Sequence, residues 1–136
     1  MASPHVAAFR ASLGRCLVTQ DFLHRFYDLF VESSDEVREK FKRTEFARQT
    51  RVLSDSLYIM AVAAESSDEG VAWKEIDRLA AAHSHTQLDI RPELYDTWLE
   101  CLLKAARDHD PQFSADVEAA WRQTLAPGIE RLRSRY

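Results

Sequence analysis

The sequence predicts an all-α fold on three observations. Helical spacing of apolar residues recurs along nearly the whole chain, no run of alternating β-branched residues occurs, and only three glycines and four prolines punctuate 136 residues. That length suits one domain spanning 1–136, long enough to bury a core without disulfide or metal staples. A hydrophobic share of 46% against a charged share of 29% is ordinary for a globular protein and argues against a disordered chain. No apolar run approaches the roughly 18 residues needed to span a bilayer, and the N-terminus lacks the basic start and apolar stretch of a signal peptide. A cytoplasmic location without a membrane partner is therefore expected. The net charge of −4 argues against nucleic acid as a partner, which demands a dominant basic surface.

Each helix has its own signature. Val6, Phe9, Leu13 and Cys16 form the stripe of a first helix over about 4–17, with a restart at Thr19 or Gln20. The second, near 20–33, carries Phe22, Leu23, Phe26, Tyr27, Leu29, Phe30 and Val31, too many large groups for one stripe, so it must be covered on several sides. Ser33, Ser34 and Asp35 followed by Glu36 mark a stop and a capped restart, which leads through Val37 and Phe41 into a short connecting turn. Thr44 then has the character of a cap for a long helix to about residue 64, striped by Phe46, Gln49, Leu53, Leu57, Met60 and Ala64. Ser66 to Gly70 read as a solvated break. The next helix places Ile76, Leu79, Ala80 and His83 at i, i+3, i+4 and i+7, and an aperiodic linker, His85 to Arg91, leads to Pro92 at a first helical position. Leu94, Tyr95, Trp98, Leu102 and Ala105 stripe a helix to about 107 that ends at Asp108-His109-Asp110-Pro111. The last, about 113–134, carries Phe113, Val117, Ala120, Trp121, Thr124, Leu125 and Leu132, with a kink expected at Pro127-Gly128. Arg122, Arg131, Arg133 and Arg135 read as complements to the negative end of that helix. Cys16 and Cys101, on apolar faces and without a CxxC motif, read as buried thiols in a reducing compartment.

Hydrolytic and phosphate-binding motifs are missing: there is no GxSxG, glycine-rich phosphate loop, HExxH or CxxC. What stands out is a histidine where spacing calls for an apolar side chain. His83 closes an inward-facing stripe, and an inward imidazole needs a partner; His85 lies about 200° around the axis, so only one of the two can face the core. Ordinarily such a residue is a core histidine satisfied by a hydrogen bond. Tyr27, Gln49 and Tyr95 are further polar groups set among large apolar ones, and Phe41 lies between Tyr27 and Gln49 in sequence. A planar apolar ligand carrying one metal would account for this grouping, with His83 on the metal, Phe41 against the ring, and Tyr27 and Gln49 as donors to whatever occupies the other axial position.

The stretches FYDLFVESSDEVREKF, RTEFARQTRVLSDSLYIM, LAAAHSHTQLDIRPELYDTWLECLL and AWRQTLAPGIERLRSRY together resemble a bacterial single-domain globin, related to globin-coupled sensors and more distantly to the globin part of flavohaemoglobins. The resemblance implies a globin fold of about six to seven helices around a haem pocket, with little or no separate D helix. It implies haem b as cofactor and Phe41, Gln49, Leu53, Leu79, His83, Tyr95 and Trp98 as residues against it. Tyr27, Gln49 and Leu53 match the distal ligand-binding positions, and His83 the iron-binding histidine. Flavohaemoglobin spacing counted back from Pro92 selects His85 instead; sensor-type spacing selects His83, which also continues the Ile76, Leu79, Ala80 stripe. Flavohaemoglobins further join the proximal histidine to a tyrosine, matched by Tyr95, and to a glutamate, which would fall at or beyond Tyr136. The function so implied is reversible binding of O2, CO or NO in oxygen binding or gas sensing. The alternative is a nitric-oxide dioxygenase, or a weak peroxidase, served by a separate reductase. Signalling would likewise require a separate partner, and the last two helices suit either a monomer core or a homodimer contact.

Overall fold

Seven helices follow one another among the described residues, 3–66 and 70–136 of a computed structural model: α1 (Pro4–Cys16), α2 (Asp21–Ser33), α3 (Asp35–Lys40), α4 (Phe46–Ala64), α5 (Val71–His83), α6 (Glu93–His109) and α7 (Ala115–Ser134). No strand occurs among these residues. Ser67, Asp68 and Glu69, part of the expected break before α5, lie outside the described residues.

The helix starts follow local chemistry. Pro4 opens α1, where a missing N–H costs nothing. Ser34 Oγ accepts the Val37 N–H at 3.1 Å and Ser114 Oγ accepts the Val117 N–H at 3.3 Å, so both serines satisfy an orphan donor in the first turn. Two expectations need correction. Thr44 does not cap α4; its N–H closes a turn on the Phe41 carbonyl and the cap position falls to Glu45, whose side chain makes no capping hydrogen bond. Pro92 is the cap residue of α6 rather than its first helical residue, which is Glu93. Residues 41–45 make turns and no helix separates α3 from α4. At the other end, α7 runs unbroken through Pro127.

Packing centres on α7, which lies against α1, α4 and α5, while α2 lies against α6. Phe9, Leu13, Phe22, Phe26, Leu57, Ile76, Leu102, Trp121 and Leu125 are fully buried between them. The leucines and tryptophan of α6 and α7 thus serve this chain's own core. Gly128 sets the approach of α7 to α4, because a Cβ there would meet Met60 Cγ at 2.9 Å. The C-terminal arginines do not simply neutralise a helix end. Arg122 pairs with Glu100 and Glu118, Arg131 and Arg135 with Asp77, and Arg133 with Asp96, fastening α7 to α5 and α6 at the surface. Cys16 and Cys101 are free and buried.

The end of the molecule formed by α1, the α6 terminus and α7 carries a buried polar cluster. Asp110, 3% exposed, accepts from Ser12 Oγ at 2.6 Å, from Arg15 Nε and Nη2 at 2.5 and 2.9 Å, and from the Gln112 N–H at 2.9 Å. Ser12 Oγ in turn accepts the Trp121 indole N–H at 2.9 Å. Burial works to raise the Asp110 pKa, but the donors around it outweigh burial and hold it below the usual carboxylate value.

Candidate ligand cavity and its histidine

At the other end of the molecule, α2, α4, α5 and α6 enclose a cavity of about 1010 Å³, large among small-molecule sites, which span about 300–1,000 Å³. Tyr27 comes from α2, Phe41 from the turn after α3, Gln49 and Leu53 from α4, Leu79 and His83 from α5, and Tyr95 and Trp98 from α6; all of them line this one space. Phe30, Val37, Met60, Ile90, Leu94 and Leu132 complete a mostly apolar wall.

His83 is the last residue of α5 and is half-buried. Its Nδ1 lies 3.1 Å from the Tyr95 hydroxyl, which leaves Nε2 as the ring nitrogen available to a ligand. Burial lowers the imidazole pKa, so the neutral, lone-pair-bearing form prevails near pH 7. His85 is exposed and does not line the cavity; its N–H and Nδ1 lie 3.0 and 2.6 Å from the Tyr136 main-chain oxygen. Between the two histidines and α6 the chain turns back sharply. Ile90 N–H donates to the His83 carbonyl at 2.9 Å, and Asp89 takes a left-handed φ of 53°, held by its N–H on the Ser84 carbonyl and by the Tyr136 hydroxyl on its side chain.

Among the described residues no group of three or more His, Cys, Asp or Glu side chains could hold a bare metal ion. A single imidazole in an apolar cavity therefore suits a metal that brings its remaining ligands in a ring of its own. Neither cysteine lines the cavity, so the walls offer no thiol for covalent attachment of such a ring.

The α2 and α4 wall carries the other polar groups. Burial pushes the Tyr27 pKa up to about 12, with the Gln49 contact working the other way, so the hydroxyl stays protonated and able to donate. It donates to the Gln49 main-chain oxygen at 3.3 Å, a long contact, and the Gln49 side chain also lies beside the hydroxyl. Tyr95 is likewise pushed up to about 12 by burial, the nearby Arg133 charge opposing this. Arg133 thus supplies a positive influence on the tyrosine beside His83.

Sequence reasoning missed a basic rim. Lys40, Arg43 and Arg48 line the cavity, and Lys40 Nζ reaches the Leu88 carbonyl at 3.2 Å across its edge. Arg43 and Arg48 have no ion-pair partner among the described residues. Their clustering with Lys42 in an otherwise acidic chain was the available signal.

The chain as a whole has counterparts among known proteins. A family model described as Globin matches residues 24–129. Among curated proteins none matches the chain. Among solved structures, a Pseudomonas aeruginosa PAO1 protein described as structurally highly homologous to a human hemoglobin is 34% identical, with a TM-score of 0.90 over 97% of this chain and 98% of that one.

Proposed function

The chain belongs to the globin family and has its fold, and from that premise we propose that it holds haem b non-covalently through His83 and reversibly binds a diatomic gas, O2 above all, beside Tyr27 and Gln49. The observation that carries this reading is the meeting of His83 from α5 with Tyr27 and Gln49 from α2 and α4 around one apolar cavity. The residues fit the group in three further respects: a neutral imidazole with a free nitrogen, a mostly apolar space with Phe41 and Leu53 on its wall, and cations at the rim without an ion-pair partner among the described residues, able to meet two carboxylates.

Haem, when bound, supplies an iron that takes a small diatomic molecule. His83 would hold it through Nε2, and the Tyr95 contact at Nδ1 fixes the plane and tautomer of the imidazole. Phe41 and Trp98 would help keep water from the bound group. Lys40, Arg43 and Arg48 would pair with its carboxylates. Tyr27 would leave its long hydrogen bond to the Gln49 carbonyl to donate to the gas, with the Gln49 amide beside it. Such donors favour O2, which draws negative charge, over CO, which draws less.

Optical spectra of the ferric, ferrous and CO-bound forms test the reading. His83→Ala should lose or displace the Soret band after reconstitution with hemin, whereas His85→Ala should keep it. A wild-type protein that stays colourless, or a Soret band indifferent to His83→Ala, overturns the proposal.

The Tyr95 hydroxyl 3.1 Å from His83 Nδ1 favours a second reading, nitric-oxide dioxygenase, since flavohaemoglobins share that pairing. There NO, O2 and one electron from a separate reductase would combine to nitrate. Sustained NO consumption coupled to such a donor distinguishes it from simple gas binding.

A further inference from the structure

Three helices complement their own dipoles with side chains: α3, α6 and α7 each carry acidic residues in the first turn and basic residues in the last. Helix α4 does the reverse. It has no acidic residue in its first turn and no basic residue in its last, bears Arg48 and Arg51 in its first two turns and ends at Glu65. Within the chain this is compensated only in part. The Ser3 N–H and Arg10 reach Glu65 at 2.9 and 3.8 Å, and haem carboxylates would meet Arg48 on the cavity wall, but Arg51 does not line the cavity.

The same helix turns apolar residues outward. Val52 and Tyr58 are 40% exposed and Val62 46%, on the side where a surface helix ordinarily shows polar groups. Leu53, Leu57 and Met60 already serve its inner side. Val52, Asp55, the partly buried Ile59 and Val62 follow one another at intervals of three, four and three, the spacing of a coiled-coil seam, with Arg51 and Tyr58 along its flank.

We infer that this face of α4 docks a second copy of the chain, the two α4 helices lying antiparallel about a two-fold axis near residue 57. Val52 of one copy then meets the partner's Val62, and Tyr58 lies beside its own counterpart. Arg48 and Arg51 come over the partner's Glu65, so each basic start covers an acidic end and the two dipoles oppose; a parallel pair would set like charge on like. A uniformly acidic partner would answer the arginines but neither Glu65 nor the apolar stripe. Asp55 falls against the partner's Ile59, where a lone polar residue in a seam sets register at a cost in stability. Two helix faces of this length bury less than the about 1,200 Å² of a standard interface, so the dimer is reversible. Val52 and Ser56 also belong to the cavity wall, and pairing covers that edge of it.

Sedimentation velocity of the full chain, with and without added hemin, tests it. Between about 10 µM and about 1 mM the average mass should climb from 15.7 kDa towards twice that value. Val62→Glu should weaken association at least tenfold and Arg51→Glu severalfold, whereas Asp55→Leu, which completes the apolar seam, should strengthen it at least tenfold. Mild oxidation reads the orientation. It should link Tyr58→Cys into a dimer and leave Val62→Cys unlinked, because the counterpart of residue 62 lies about 15 Å away along the paired helices. Cys16 and Cys101 are buried and do not compete. A mass of 15.7 kDa at every concentration, in the wild type and in Asp55→Leu alike, overturns the inference. So does association indifferent to Val62→Glu, or Val62→Cys linking as readily as Tyr58→Cys. Haem binding is reported separately by the Soret band.

Discussion

The two ends of this molecule treat buried polar groups in opposite ways. Around Asp110 every partner is present: Ser12, Arg15, Trp121 and the Gln112 N–H converge, and the carboxylate is held ionised. Around the cavity the polar groups are underused. Tyr27 has one long bond and the Gln49 side chain beside it, and His83 one contact with a second nitrogen to spare. A satisfied cluster stabilises a fold, whereas polar groups with hydrogen-bonding capacity to spare on the wall of a cavity are placed to serve a ligand. The contrast separates a clamp from a site without recourse to any motif.

Breaking the clamp should have the largest effect on folding. Asp110→Ala strands the Ser12 hydroxyl in a region closed to solvent, although Arg15 is partly exposed and can turn to water. We expect a loss of about 2–3 kcal/mol in urea denaturation; a change below about 0.5 kcal/mol would mean the cluster relaxes freely, and the contrast would lose its footing.

Acid should act on the two ends in sequence. In the haem-free protein, His83 has a native pKa below its usual 6.5, so its contribution is complete above about 6.5 and is lost as pH falls from there toward the native value. Asp110 also has a lowered native pKa, so its contribution is complete above the unfolded value of about 3.9 and fades below it. Stability measured against pH should therefore decline first from the cavity and later from the clamp. His83→Leu should abolish the first decline alone, and a single acid step in both proteins would contradict the assignment.

The smallest effect on stability should accompany a large one on function. Tyr27→Phe removes one long hydrogen bond and should change unfolding free energy by less than about 1 kcal/mol. If the hydroxyl donates to O2, the same substitution should raise O2 dissociation about tenfold to hundredfold, the rate equivalent of about 1.5–3 kcal/mol, while CO dissociation barely moves. An O2 off-rate unaffected by the change would assign Tyr27 to packing.

The helices were legible because their signals are local. Stripes such as Val6, Phe9, Leu13 and Cys16, and the serine cap before α3, state a period and a start without reference to the rest of the chain. Thr44 misled for the same reason: a threonine before an apolar run has cap chemistry, but the turn closed on Phe41 uses its N–H and shifts the helix start onward. The C-terminal arginines were legible only in part: Arg131 and Arg133 do sit in the last turn of α7, but the ion-pair partners Asp77, Asp96 and Glu100 lie on other helices.

By itself, then, the sequence determined that the chain is helical, roughly where each helix runs, and that Tyr27, Phe41, Gln49 and His83 are polar or aromatic residues out of keeping with plain stripes. Period and composition suffice for that, since they act over a few residues. Only the tertiary structure decided that these side chains share one cavity, that His83 faces it while His85 lies outside against Tyr136, and that Lys40, Arg43 and Arg48 edge it. Those facts depend on which helices cross and how closely. Burial and charge pairing between residues far apart in the chain are set by packing, which no local period encodes.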